Sequence, residues 1–505
     1  MNKKLNWPLI RYIFGVLLLM ESFFMGISTL VALYYHFTMG ETDWLALLST
    51  MLLTATVGYG MVLTSRKRSS QITTREGFLV VSLAWLVFCL LGMIPFLLTG
   101  TSTRLSDAFL EAMSGFTTTG CTTITELEAV SHGIMFWRHL MQWLGGLGIV
   151  VISLALIPII GTGATQVFSA ETNGLSVDKL RPKISQTALR LWTIYFGLSV
   201  VNAILYWLGD MSVFDAVCHT FSTMASGGFS THNSSIGYFQ SSYIEYVCIV
   251  FLFLTSVNYN LFYFLGQGYF RLTWKNEELR WFTYFVIGFT LLFMLLNYLT
   301  ATGVIGEVSD ASIFGDGSWE CRFRSSLFHT LTIISSAGYQ SQYFDYGAWG
   351  HVFWIPTLMM MCMGGCSSST AAGLKVVRII VLLKNTKQEI FQALHPRSFS
   401  AVRLNGRTLP HETVFKILAM LSVYAILLVI SIFVLQCMGL SFDTAIGCAF
   451  SAMGNTGPAL GDAGPAFNWA FLPDAAKWYL ALLMLIGRLE IFTVIVLFSP
   501  MFWKK

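Results

Sequence analysis

The sequence predicts an all-α integral membrane protein: four pseudo-symmetric repeats of span, short half-helix, polar turn and span about a common axis, preceded by two extra N-terminal spans. Three observations predict it. Only 11% of the 505 residues are charged and 55% are hydrophobic, whereas a soluble domain carries about 25% charged residues; so little charge cannot cover a water-facing surface of this size. Apolar runs long enough to cross about 30 Å of hydrocarbon recur at Leu9–Leu33, Phe78–Leu98, Ile134–Ile160, Tyr246–Leu265, Phe282–Leu299, Val414–Leu435 and Leu480–Phe498. Four segments between such runs share one plan.

The first run, Leu9–Leu33, is too long for a signal-peptide core and lacks a small-residue cleavage site after it, so it is expected to be a retained span. With Trp44–Leu63 it precedes the repeats and lacks their pattern. Basic residues gather at Lys3, Lys4 and Arg11, at Arg66–Arg75, Lys179–Arg190, Arg271–Arg280 and Lys375–Lys416, and at Lys504–Lys505, alternate ends of successive spans. The positive-inside rule makes these cytoplasmic, with both termini. Basic residues placed this way report topology, and no nucleic-acid partner is expected. The nine cysteines lie mostly in apolar runs, and neither a His nor a second Cys pair completes a zinc set around Cys362 and Cys366.

The repeated segments run Asp107 to Gly120, Asp215 to Gly228, Ser325 to Gly338 and Asp443 to Gly457. Each opens on Asp or Ser, a good N-cap, continues for a half-membrane length of helix-compatible residues, and closes on small polar residues and a glycine. Irregular backbone at membrane depth is tolerated only where protein buries it or where it lines an aqueous cavity. Four such turns meet that condition on a shared axis, where their carbonyls can replace the water shell of a dehydrated cation. The half-helices point their partially negative C-terminal ends at the same axis. The architecture is thus helix–pore-loop–helix, repeated four times around one pore, with about ten transmembrane helices and four half-membrane pore helices. The expected boundaries are 1–70 for the extra spans and 71–175, 176–275, 276–400 and 401–505 for the repeats.

These residues resemble the Trk/Ktr/HKT superfamily of cation transporters, in particular its bacterial potassium-uptake branch. The resemblance covers nearly the whole chain. It rests on Thr117-Thr-Thr-Gly-Cys121, Gln142-Trp-Leu-Gly-Gly-Leu-Gly148, Ser226-Gly-Gly-Phe-Ser-Thr-His232, Gly364-Gly-Cys366, Gly454-Asn-Thr-Gly-Pro458 and Gly487-Arg-Leu-Glu-Ile-Phe492. It implies potassium as the transported ion, bound by the filter segments Thr118, Thr119 and Gly120; Ser226, Gly227 and Gly228; Ser336, Ala337 and Gly338; and Asn455, Thr456 and Gly457. Glycine at all four signature positions goes with potassium in the family, serine at the first with sodium. The resemblance further implies a homodimer with one pore per protomer, a cytosolic ring of nucleotide-binding regulatory subunits of the TrkA type, a bacterial inner-membrane location and no cofactor bound by this chain.

Two features below the filter take roles from the same resemblance. Small polar residues interrupt an apolar span at Gly364, Gly365, Cys366, Ser367, Ser368, Ser369, Thr370 and Gly373; in the family this stretch is an intramembrane loop that obstructs the closed pore. Here serines and alanines stand where glycines are often found. Arg488 lies within the last span, where charge is costly and faces a wet path or a partner; the resemblance places it near the pore as a gate element. Lys375 and Arg378 are expected in the same inner region, Lys384 to Arg407 forms a basic cytoplasmic segment, and Arg138 and His139 are expected at headgroup level. The chain carries no Walker-type phosphate loop, H-E-x-x-H or G-x-S-x-G motif, and Gly161-Thr-Gly163 lacks a third dinucleotide glycine. An enzyme is not expected. A proton- or sodium-coupled symporter is the alternative to a channel-like pore. It needs a titratable group in the path, and Glu21 and Glu490 are the clearest acidic residues within spans.

Overall fold

A computed structural model describes residues 5–65, 73–146, 148, 184–304, 317–341, 351–397, 401–465, 467–489 and 491–503. Glu490, Gly161–Gly163 and the basic residues at 3–4, 66–68, 179–183 and 504–505 lie outside these. Among the described residues six helices are long and apolar enough to cross a membrane: Trp7–Met39, Trp44–Leu63, Arg75–Leu98, Leu189–Trp207, Glu277–Ala301 and His411–Cys437. Two bent pairs raise the number to eight: Ser242–Ser256 with Tyr259–Gly266, turning by 96°, and Asp474–Arg488 with Ile491–Phe498, turning by 120°. Of the ten spans expected, the second of repeat one is described as a helix over His132–Gly146. The second of repeat three is broken into Trp354–Cys362 and Val376–Leu394. Large apolar side chains such as Phe23, Leu30, Val429 and Phe433 point outward, the arrangement of a protein whose outer solvent is lipid.

The two N-terminal helices form a tight hairpin. Asn6 caps the first by accepting from the Leu9 N–H at 3.3 Å, and Gly40, left-handed at φ 79°, ends it. The helices cross at two glycines: a Cβ on Gly15 would lie 2.7 Å from the Gly58 carbonyl, and one on Gly58 2.9 Å from the Gly15 carbonyl. Small residues let membrane helices approach in this way. The turn of the hairpin then grips repeat one. Glu41 accepts from the His132 N–H at 2.9 Å and Asp43 from the Ile134 N–H at 3.1 Å. Two carboxylates from a neighbouring element thus satisfy orphan donors at the N-terminus of His132–Gly146 and complement its dipole.

Four short helices fall where the pore helices are expected: Leu105–Phe116, Val213–Ala225, Trp319–Ile334 and Phe442–Gly454. The expected N-caps are displaced. Ser212, Ser318 and Ser441 cap three of these helices through their side chains, while Arg104 precedes the first without a side-chain cap. Asp107, Asp215 and Asp443 sit inside the first turn, where a carboxylate still favours the positive end of the helix. Asp107 pairs there with Lys477, whose side chain is wholly buried. Among the described residues one element departs from the all-α expectation, an antiparallel hairpin pairing Arg403 with Thr408 and Leu404 with Arg407. Asn405 and Gly406 turn it with φ of 50° and 76°, the Asn-Gly signature of a two-residue hairpin loop.

The hairpin crossing predicts an asymmetric response to substitution. Gly58→Leu should lower the thermal midpoint in detergent, with a cost of about 1–3 kcal/mol for overpacking. Gly60→Leu, on the same helix where an added Cβ meets nothing within 4 Å, should leave the midpoint unchanged.

Candidate functional site

Each pore helix ends in the same way. Thr118, Ser226, Ser336 and Asn455 take left-handed φ of 55°, 54°, 60° and 51°. The next N–H then returns to the carbonyl five residues earlier: Thr119 to Ser114, Gly227 to Ser222, Ala337 to Thr332 and Thr456 to Ser451, at 2.8–3.0 Å. This is Schellman closure on a non-glycine residue, four times over. The glycine that follows is also left-handed, with φ of 91°, 74°, 73° and 91° at Gly120, Gly228, Gly338 and Gly457. The chain is thereby turned out of the helix axis and sent back toward the surface it came from.

The four turns close a ring. A Cβ on Gly120 would strike the carbonyl oxygen of Gly227; on Gly228, that of Ala337; on Gly338, that of Thr456; and on Gly457, that of Thr119, at 2.6 Å. Each glycine abuts the residue before the glycine of another repeat, and the fourth returns to the first. All four border a cavity of about 200 Å³ outside the ring, shared with Cys121, Thr122, Gln340 and Pro458. The twelve residues expected in the filter are therefore brought together, and all but Gly120, Gly228 and Gly338 are buried.

Buried side chains hold the turns in place. Asn455 donates to the Thr119 hydroxyl at 2.9 Å and to the Met484 carbonyl at 3.0 Å, tying repeat four to repeat one. Glu111, on the first pore helix, accepts from the N–H of Thr123 at 2.8 Å and the hydroxyl of Thr122 at 3.1 Å. It also pairs with Arg138 at 2.6 Å. Arg138 donates in turn to the Ser230 carbonyl at 3.0 Å and lies over the Phe229 ring. The expected headgroup position of Arg138 and His139 is thus corrected: both are buried. Glu111 supplies the counter-charge, and the His139 ring accompanies its neighbour inward with its Nδ1 on the Met135 carbonyl.

Under the ring lies the segment from Met363 to Gly373. It leaves the helix after Cys362 and rejoins one at Val376, with its neck closed by Gly364 N–H to Leu374 carbonyl at 2.8 Å and Leu374 N–H to Cys362 carbonyl at 3.0 Å. Its partners come from four directions. The bend after Ser256 frees helix-end carbonyls: Ser256 accepts from Cys366 N–H at 2.8 Å and Thr255 from Thr370 N–H at 3.3 Å. Glu278 accepts from the N–H and hydroxyl of Ser367 at 2.6 and 2.7 Å. The ring of turns itself contributes Ser226, whose hydroxyl meets that of Thr370 at 3.1 Å, and Ser336, which accepts from the Ala372 N–H at 2.7 Å. Arg488 donates to the Thr370 carbonyl at 3.0 Å and to Gly145 and Gly146 carbonyls at 2.8 and 3.2 Å. Lys375 folds back on the Ala371 carbonyl, whereas Lys384 pairs with Glu277 away from the ring.

Glu111, Glu278, Gln142 and Thr255 were not singled out as site residues from sequence; Ser226 and Thr370 were, but not their meeting with Thr255. The two glutamates carried a usable signal, since an acidic residue in a membrane segment marks a partnered, interior position. Thr255 carried none, because a Thr is equally at home bonding its own helix.

The family model described as TrkH, a cation transport protein, matches residues 46–505. The Trk system potassium uptake protein TrkH of Salmonella typhimurium is 34% identical, over 99% of this chain and 100% of the relative. That of Halomonas elongata is 35% identical, over 98% and 99%. The crystal structure of the potassium transporter TrkH from Vibrio parahaemolyticus superposes with a TM-score of 0.84 at 31% identity, covering 98% of this chain and 99% of that one. The relatives are named as transporters, not enzymes.

The buried pair of Glu111 and Arg138 gives a direct test of what holds the first turn in place. Arg138→Met leaves the Glu111 carboxylate buried without its cation and should cost about 3–5 kcal/mol, read as a large drop in thermal midpoint. Adding Glu111→Gln should recover part of the loss, because the stranded charge is removed.

Proposed function

The chain belongs to the TrkH family of cation transport proteins, and from that premise we propose that it mediates potassium uptake across a bacterial inner membrane through a channel-like pore. The observation that carries this reading is the closed ring, in which each glycine abuts a carbonyl of another repeat. Carbonyls from Thr118 to Gly120, Ser226 to Gly228, Ser336 to Gly338 and Asn455 to Gly457 take the place of the ion's water shell, and four pore-helix C-termini add negative potential. No covalent step and no bound cofactor are needed. The membrane potential drives the ion inward with about 2.3 kcal/mol per charge per 100 mV.

The segment from Gly364 to Gly373 acts as the gate in this proposal, and Arg488 as its latch. What supports it is the number of bonds that must be exchanged for the segment to move, from Thr255, Ser256, Glu278, Ser226, Ser336 and Arg488. The relatives are named as parts of a Trk system. We propose that this chain pairs as a homodimer, one pore per protomer, and receives a TrkA-type nucleotide-binding ring on a cytoplasmic face that includes Lys384 to Arg407 and both termini. The repeat boundaries at residues 71, 176, 276 and 401 belong to the same proposal.

Coupled symport is the second reading, and one observation favours it. Glu21 is buried, both its carboxyl oxygens lack a hydrogen-bond partner among the described residues, and it borders a cavity of about 30 Å³ with Trp85, Phe116 and Gly145. Such a carboxyl is the kind of group that proton coupling requires.

Three measurements separate these readings. Tracer flux into vesicles should show potassium and rubidium passing in preference to sodium, and Gly120→Ser should narrow the preference; equal sodium flux through the native chain would refute potassium selectivity. Without a regulatory ring, Arg488→Gln should raise basal potassium flux about tenfold, the equivalent of one charge-assisted hydrogen bond of about 1.5 kcal/mol; unchanged flux would rule out the latch. Reversal potentials in a planar bilayer should ignore an imposed proton gradient. A shift in the native chain that Glu21→Gln abolishes would establish symport instead.

A further inference from the structure

Gln142 stands in the second helix of repeat one, wholly buried, and both ends of its amide are committed to the filter of repeat two. Its Nε2 donates to the Gly227 carbonyl at 2.7 Å, and its Oε1 accepts from the Phe229 N–H at 3.2 Å. Only one orientation of a carboxamide satisfies a carbonyl and an N–H together. The amide therefore spans Gly228 and clamps the backbone on either side of it.

A second observation points the same way. The residue before the signature glycine is Thr119, Ala337 and Thr456 in three repeats, but Gly227 in the second. A Cβ on Gly227 would lie 2.5–2.7 Å from the Gln142 amide atoms, so the clamp occupies the space where the other repeats carry a side chain. Two successive glycines make the Gly227–Gly228 peptide the least restrained backbone in the ring. Its carbonyl is also the one that Gly120 abuts.

We propose that Gln142 is a selectivity-determining positioning residue: by holding the Gly227 carbonyl and the Phe229 N–H, it fixes the direction of that carbonyl and hence how many oxygens the ring presents to a dehydrated ion. The inference deepens the potassium-pore reading above and rests on it. Selectivity depends on the number and field strength of the carbonyl dipoles. A peptide free to rotate presents a varying number, and a carbonyl already bonded to an amide presents a weaker field. Loss of the clamp therefore degrades discrimination before it degrades conduction.

The test uses the full chain in planar bilayers and reads the potassium-to-sodium permeability ratio from reversal potentials. Gln142→Met keeps the length and loses both bonds. Gln142→Asn keeps the amide but is a methylene too short to span both groups. The ratio should fall about fivefold in each, the change that corresponds to one hydrogen bond of about 1 kcal/mol, while potassium conductance persists. Thermal melting identifies which variants are folded, and either one alone decides. A folded variant with the native ratio overturns the role of Gln142 and leaves the potassium pore standing. A native chain that does not discriminate potassium from sodium overturns the pore reading, and this inference with it.

Discussion

A helix that stops halfway through a membrane must dispose of its last carbonyls, and the rest of this structure follows from how it does so. Each pore helix spends one residue in the left-handed region and one return hydrogen bond to close its end. The closing turn then carries the chain past the axis, where a glycine is the only residue that fits against the carbonyl of another repeat. Four copies are required for the ring to close. A single copy would leave irregular backbone exposed to hydrocarbon, which the bilayer does not tolerate.

The same problem recurs below the ring with a different solution. The span that bends by 96° after Ser256 and the one that breaks near Arg488 both give up helical hydrogen bonds at membrane depth. The freed carbonyls of Thr255 and Ser256 are taken up by the segment from Met363 to Gly373, which is itself a broken span in need of partners. Arg488 gathers carbonyls from that segment and from repeat one. The hydroxyls of Ser226 and Ser336 belong to the ring of turns and bond the segment directly. Ring and segment therefore share bonds, and neither can rearrange without affecting the other.

The apolar spans and the four left-handed glycines were legible in the sequence because each rests on local composition: apolar length, small polar turns and glycine at matched offsets. The helix starts were misplaced because Asp107, Asp215 and Asp443 favour the first turn as well as the cap, and sequence alone does not rank the two. Arg138 was misplaced for a different reason. A basic residue near the start of a span reads as a headgroup anchor unless its partner is known, and Glu111 lies on another helix in the preceding half of the repeat. The partners of Gln142, Glu278 and Asn455 lie far apart in the chain, so nothing local identifies them, although the acidic Glu278 signals that it has one.

The account stands on the ring acting as an ion site. The most direct measurement is anomalous scattering from crystals of the protein grown with rubidium in place of potassium. A rubidium peak is predicted on the axis enclosed by Gly120, Gly228, Gly338 and Gly457, within coordination distance of carbonyls from all four repeats. An empty axis, with rubidium bound elsewhere in the protein, would contradict it.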